Sequence, residues 1–469
     1  MKKEKMSLFS CIFMGIGSII GASIFSTTPI AAKIVGGDGV VLGFILASVF
    51  VFLKTMPEMV MISALPANGA SYMHLTRLVH PAAGILHAFN QLVIGPMKIA
   101  TMSLTFSTYF AMLFPQIPEV IVACAVTVIF TIISCYGIKA SAWVQNISVL
   151  VLLVALGCYI FGGWGHTTVT LGEVLSTTYD ITKLWAAMGI MHGSLIGANA
   201  LMYAADEIEN PGKNVPLSFF ISTVATAVIY AAIAFVTVGI IRNPYELDNL
   251  ATVAETFMGP GMRAFFISGG ALLAVITSIN ACILMFSRAN FAAARDGLYP
   301  QGLVKINKHG VPVNSIWLNS IIAMLAMLTG YNLEDVINIT SIPGLLLNPI
   351  VFFSVFMLPR RYPNAYKTSF LKIPHWVNCA LVVVATVLSL VMGVSVLGQM
   401  SAKNYLLMVG FYIIALIYAI LRDRYLKQKT GSGLFARMRM PYEPWMELEE
   451  AGIRHLGDKA IILETNKKK

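Results

Sequence analysis

The sequence predicts an all-α membrane protein with twelve transmembrane helices, and three observations carry that prediction. First, 57% of the 469 residues are hydrophobic and 12% are charged, where a soluble chain carries roughly a quarter charged residues. Second, the apolar residues fall in blocks of about 20 or more, the length a helix needs to cross roughly 30 Å of hydrocarbon. Backbone polar groups cannot face lipid unpaired, so these blocks are helices. Third, lysine and arginine gather in alternate loops, as the positive-inside rule requires of a multi-pass chain.

Taken in order, the spans are 8–32, 39–64, 81–113, 118–136, 142–163, 184–205, 216–241, 264–290, 314–330, 335–358, 376–399 and 404–422. The first follows a basic start (Lys2, Lys3, Lys5) and imitates a signal peptide. Its apolar run reaches Ala32, too long for an h-region of roughly 7–15 residues, so it reads as a membrane helix. The loops after even-numbered spans carry Arg77; Lys139; Lys213; Arg295, Lys305 and Lys308; and Arg360, Arg361, Lys367 and Lys372. The opposite loops carry Asp180, Glu246, Asp248, Glu255, Glu334 and Asp335. Both termini are therefore expected in the cytoplasm, with the protein in the cell membrane and lipid around it. The net charge of +10 comes from this loop bias and gives no reason to expect nucleic acid. The last part, 423–469, is expected to be a polar cytoplasmic tail around an aromatic patch at Tyr442 and Trp445.

Span 1 contains Gly15-Ile-Gly-Ser-Ile-Ile-Gly-Ala-Ser23, and span 6 contains His192-Gly-Ser-Leu-Ile-Gly-Ala-Asn199. Glycine and serine at mid-membrane make poor helix, and matched interruptions at spans 1 and 6 are what two inverted five-helix repeats produce. Unwinding frees amide N–H groups at the start of one half-helix and carbonyls at the end of the other. The N-terminal end carries partial positive charge that suits a carboxylate, and free carbonyls suit an ammonium. A zwitterion fits such a site without a charged side chain.

Further motifs strengthen this reading. Gly15-Ile-Gly-Ser-Ile-Ile-Gly-Ala-Ser-Ile-Phe25, Pro66-Ala-Asn-Gly-Ala-Ser-Tyr72, Tyr136-Gly-Ile-Lys-Ala-Ser-Ala-Trp-Val-Gln-Asn146, Asp206-Glu-Ile-Glu-Asn-Pro-Gly-Lys-Asn-Val-Pro216 and Arg295-Asp-Gly-Leu-Tyr-Pro300 together resemble the amino acid–polyamine–organocation transporter superfamily. The resemblance covers about residues 8–420. It implies one transporter domain, 1–422, with inverted repeats at about 8–163 and 184–358 and helices 11 and 12 (376–422) outside them. It also implies alternating access about a central site. By motif position the substrate carboxylate should meet the amides near Gly21, Ala22 and Ser23, and its amino group the carbonyls of Ile19, Gly193 and Ile196. Ser18 and Ser194 could add hydroxyl contacts, and Gly197 is the flexible point at which helix 6 resumes.

Lys98 lies near the middle of span 3, where charge is costly and usually functional. It is a candidate counter-ion for a second substrate carboxylate, a fixed charge in place of a coupling cation, or a lysine satisfied by interior carbonyls. The lysine that many family members carry seven residues after the helix-5 glutamine is here Leu152. Asn199 stands where the exchangers of cationic substrates tend to carry an acid, and Gly193 and Cys282 where they carry aromatics. With no carboxylate expected at mid-membrane, a cationic substrate is disfavoured. His192 abuts the helix-6 break, and a histidine's ordinary titration near pH ~6.5 would let it sense pH. Glu58 sits one turn after Lys54, toward the cytoplasmic end, which suggests an ion pair or gate. Asn280 and Ser278 could face the site from span 8.

The six cysteines lie singly in apolar segments and suggest neither disulfides nor metal. No phosphate loop, metal-spaced set or nucleophile elbow occurs, so no enzyme, cofactor or metal is expected. The reading is secondary transport of a neutral or acidic amino acid by exchange or proton coupling. An amine–amino acid antiporter and a transporter-like sensor are the alternatives. The oligomeric state is not encoded in any recognisable way.

Overall fold

A computed structural model describes residues 5–451 apart from 22, 137–138, 178, 204, 206–207, 332 and 399. Its helices begin with α1 (Leu8–Ile20), α2 (Ser23–Val35), α3 (Gly39–Ala64), α4 (Pro81–Ala111), α5 (Glu119–Ser134), α6 (Lys139–Trp164) and α7 (Ile181–Leu195). They continue with α8 (Pro211–Ile240), α9 (Leu273–Arg295), α10 (Val313–Leu328), α11 (Leu333–Leu346), α12 (Ser354–Arg361), α13 (His375–Leu397) and α14 (Ala402–Thr430). Local chemistry sets many starts. Ser7 accepts from the Ser10 amide ahead of α1, and Asp180 from the amides of Thr182 and Lys183 ahead of α7. His80 accepts from Ala82 N before Pro81 opens α4, where the missing proline N–H is no loss.

Among the described residues, nine helical stretches are long and apolar enough to cross a membrane. Two shorter apolar helices, α5 and α10, accompany them. α4 is long enough at 31 residues but is made less apolar by buried polar side chains, among them His87, Asn90 and Gln91. The outermost helices turn their apolar side chains outward: Leu406 and Ile414 on α14 are each 68% exposed. In water that surface would drive aggregation; in hydrocarbon it is solvated. The protein is an integral membrane protein.

The interior is assembled by α3 against α7 and α8, α1 against α8, and α4 against α9 and α11. As expected, spans 1 and 6 are broken. α1 stops at Ile20, Gly21 turns with φ +34°, and α2 resumes at Ser23. α7 stops at Leu195, and a short tight turn over Gly197–Asn199 leads into Ala200–Tyr203. Span 10 departs from the expectation of an unbroken helix. α11 ends at Leu346 and a 3-10 stretch, Asn348–Phe353, precedes α12. Pro349 lacks the N–H that would continue the α-helical ladder, and it restricts the residue before it. Span 8 is also irregular, with a π-helical stretch over Phe266–Leu272 around Gly269 and Gly270.

The tail is packed against the body as far as it is described. Trp445 is fully buried, donates its indole N–H to Pro66 O at 3.1 Å, and stacks on His74 at 5.2 Å between ring centroids. Glu449 accepts from the amides of Asn364 and Ala365 at 3.0 and 2.8 Å.

Candidate functional site at the helix breaks

The two breaks lie directly against each other because Gly197 has no side chain. A Cβ there would sit 2.0 Å from Ser18 O and 2.6 Å from Ile19 N. Close approach, more than flexibility, is therefore the structural requirement at Gly197. Gly21 is similarly constrained: its φ is positive, and a Cβ would meet Ser278 Oγ at 2.1 Å. Ser278 and Thr277 donate to Gly17 O at 3.0 and 3.3 Å, alongside the Gly21 N–H that closes the last turn of α1 on the same carbonyl at 3.1 Å.

Beside the breaks is a cavity walled by α3, α4, α7, α9 and α11. Of the residues expected at the site, Ser18, Ser23, Gly193, Ser194, Ile196, Gly197 and Asn199 line it. Lys54, Glu58, Lys98 and His192 line it too. The expectation of a site without a carboxylate is thereby corrected. The cavity does contain a carboxylate, because i, i+4 spacing presents both residues on one face of α3. Ile19 and Gly21 lie behind the wall, buried against Tyr230 and Ser278. Asn280 turns away to accept from Ser134 Oγ at 2.8 Å, so it does not reach the cavity. Ala22 lies outside the described residues.

Lys98 Nζ donates to Gly193 O at 3.0 Å. Tyr230 donates to Ile19 O at 2.7 Å with Ile20 O close by at 2.9 Å, and Asn199 N donates to Ile196 O at 3.1 Å. All three carbonyls expected to receive a substrate amine thus already hold a donor from the protein. Lys54 Nζ lies 2.5 Å from His192 Nε2, and His192 Nδ1 lies 3.3 Å from Gly189 O. A proton on Nδ1 satisfies both contacts, leaving Nε2 to accept from the ammonium, so the ring is neutral. Thr27 and Ser194 share a hydroxyl hydrogen bond of 2.7 Å. Three buried polar atoms on residues lining the cavity, Ser18 Oγ, His87 Nδ1 and Asn199 Oδ1, have no partner. Buried polar atoms are rarely left so, and unpartnered ones at a cavity suit a ligand.

Sequence reasoning missed His87 and Gln91 on α4, and Thr340, Ser341 and Asn348 at the end of α11. The first pair was legible. His87, Gln91 and Lys98 recur at helical spacing (i, i+4, i+11) and form a polar stripe down one face of an otherwise apolar helix. The α11 residues become visible only with the break at Leu347.

Below the cavity, Arg77 clasps Asp296 bidentately at 2.8 and 2.9 Å, and Tyr72 donates to the same carboxylate at 2.9 Å. This pair ties the 66–80 segment to the end of α9. His74 in that segment is buried under Trp445, and burial lowers its pKa to about 4.

The amino acid permease family model matches residues 6–422. The chain is 24% identical over 388 residues to the methylthioribose transporter of Bacillus subtilis, covering 78% of this chain and 83% of that one. It is 24% identical over 387 residues to cationic amino acid transporter 1 of Arabidopsis thaliana, covering 78% and 64%. It is 25% identical over 340 residues to the vacuolar cationic amino acid transporter 4 of the same plant, covering 66% and 56%.

Proposed function

The chain belongs to the amino acid permease family, and from that membership we propose that it is a secondary active carrier of a neutral or acidic amino acid. Transport runs by alternating access about the cavity at the helix breaks, through exchange or proton coupling. The observation that carries the reading is the contact of the two breaks through Gly197, beside a cavity holding Lys98, Lys54 and Glu58. Such discontinuous helices give a midplane site whose two sides can open in turn. We take the nine long apolar stretches, α4, α5 and α10 as the twelve spans of the expected five-plus-five core and its two additional helices. The basic loops support a cytoplasmic side for both termini and the cell membrane as the site of the protein.

Lys98, Lys54, Glu58 and His192 are the groups by which coupling or gating would act, since each lines the cavity and carries or accepts a proton. Two relatives are named for cationic amino acids. In this cavity two ammonium groups face one carboxylate, which opposes a cationic solute. The test is counterflow in liposomes loaded with each amino acid in turn, with and without a pH gradient. Accelerated uptake with at least one amino acid is expected. No flux with any amino acid or amine sinks the transport reading.

A further inference from the structure

Resting on the reading of this cavity as the transport site, we infer that it selects an acidic amino acid, a solute with two carboxylates and one ammonium. The charges that line the cavity are the complement of that solute: ammonium groups from Lys54 on α3 and Lys98 on α4, and one carboxylate from Glu58. His192 adds no charge, because its ring accepts from Lys54 Nζ and directs its own N–H at Gly189 O.

The hydrogen-bonding groups divide in the same way. A backbone-only site would receive the α-ammonium on the carbonyls of Ile19, Gly193 and Ile196. Here Tyr230, Lys98 and the Asn199 amide hold them. Lys98 stands in the amine position of such a site, and an incoming ammonium would meet a like charge there. The acceptors it meets on side chains include Asn199 Oδ1, buried without a partner, and Glu58. The donors available to carboxylates include Ser18 Oγ and His87 Nδ1, both unpartnered, and the remaining N–H bonds of the two ammonium groups. Each lysine has three N–H bonds, and Lys98 directs one at Gly193 O. A neutral amino acid brings one carboxylate and leaves an ammonium uncompensated in a medium of low dielectric; a cationic one adds to the excess.

The test is counterflow of labelled glutamate into glutamate-loaded liposomes, competed by unlabelled aspartate, alanine, lysine and glutarate. Aspartate should compete with glutamate, and alanine and lysine should need at least tenfold higher concentrations. Glutarate, which lacks the ammonium, should also compete poorly. Lys98→Met should cut the advantage of glutamate over alanine at least tenfold, and Lys98→Arg should retain it. Wild-type protein that carries alanine or lysine as well as glutamate overturns the inference and leaves the transport reading standing. Glutarate competing as well as aspartate overturns the part given to Glu58 and Asn199. Absence of flux with any solute overturns the transport reading itself. The wild-type competition order decides the matter even if the Lys98→Met protein fails to fold.

Discussion

Replacing Gly197 with alanine is the sharpest perturbation of the site. The added Cβ would lie 2.0 Å from Ser18 O, 2.3 Å from Ser18 C and 2.6 Å from Ile19 N, all backbone atoms. Ordinary contact begins near 3.4 Å, so the two breaks must separate by about 1.4 Å. No rotamer change relieves a clash with main chain. Overpacking of this kind typically destabilises by about 1–3 kcal/mol even where side chains can yield, so this site should reach or exceed the top of that range. Gly157→Ala is the control, because nothing lies within 4 Å of its Cβ position. Gly157→Ala should match the wild type in thermal unfolding in detergent and in liposome counterflow. Gly197→Ala should unfold at lower temperature and lose at least nine-tenths of the flux. Flux within threefold of wild type, with unchanged thermal stability, would refute the argument that the breaks must touch.

Three further outcomes are expected from the buried contacts around the 66–80 segment. Arg77 and Asp296 are 8% and 7% exposed at their side chains, so Arg77→Ala or Asp296→Asn alone should destabilise by about 3–5 kcal/mol. The double variant should lose less than the sum of the two, as read by a double-mutant cycle. Trp445→Ala empties a fully buried site beneath the tail and should destabilise by about 3–5 kcal/mol; limited proteolysis should then cut after Gly431 faster than in the wild type. For His74, the folded pKa of about 4 lies below the unfolded value of roughly 6.5, so the folded state resists protonation. Its contribution to stability is complete above pH ~6.5 and is lost as the pH falls toward 4. Unfolding measured between pH 7.5 and 4.5 should show that loss in the wild type and a smaller one in His74→Gln.

Most of the fold was legible because lipid imposes a length and a composition on each spanning helix. The breaks in spans 1 and 6 were legible because glycine and serine cluster there. The interruption at Leu347 was not, since one proline after an asparagine is also compatible with a kinked helix. Within the site, the residues carried over by motif largely reach the cavity, but their partners did not show in the sequence. That Tyr230 and Lys98 occupy the carbonyls of Ile19 and Gly193 depends on contacts across 211 and 95 residues of chain. Asn280 failed because a polar residue on a flanking helix can face either neighbour, and Ser134 on α5 takes it. The placement of Glu58 reverses the expectation of a cavity without a carboxylate. It leaves the preference against cations in place, since Lys54 arrives with it.

The central claim is that the touching breaks and the cavity beside them form the solute site. A structure determined with a transported amino acid present tests it most directly. The account predicts density for the solute between Ser18, Lys98 and Asn199, with a carboxylate on the Ser18 hydroxyl. Solute density elsewhere in the protein, with this cavity unchanged, would contradict it.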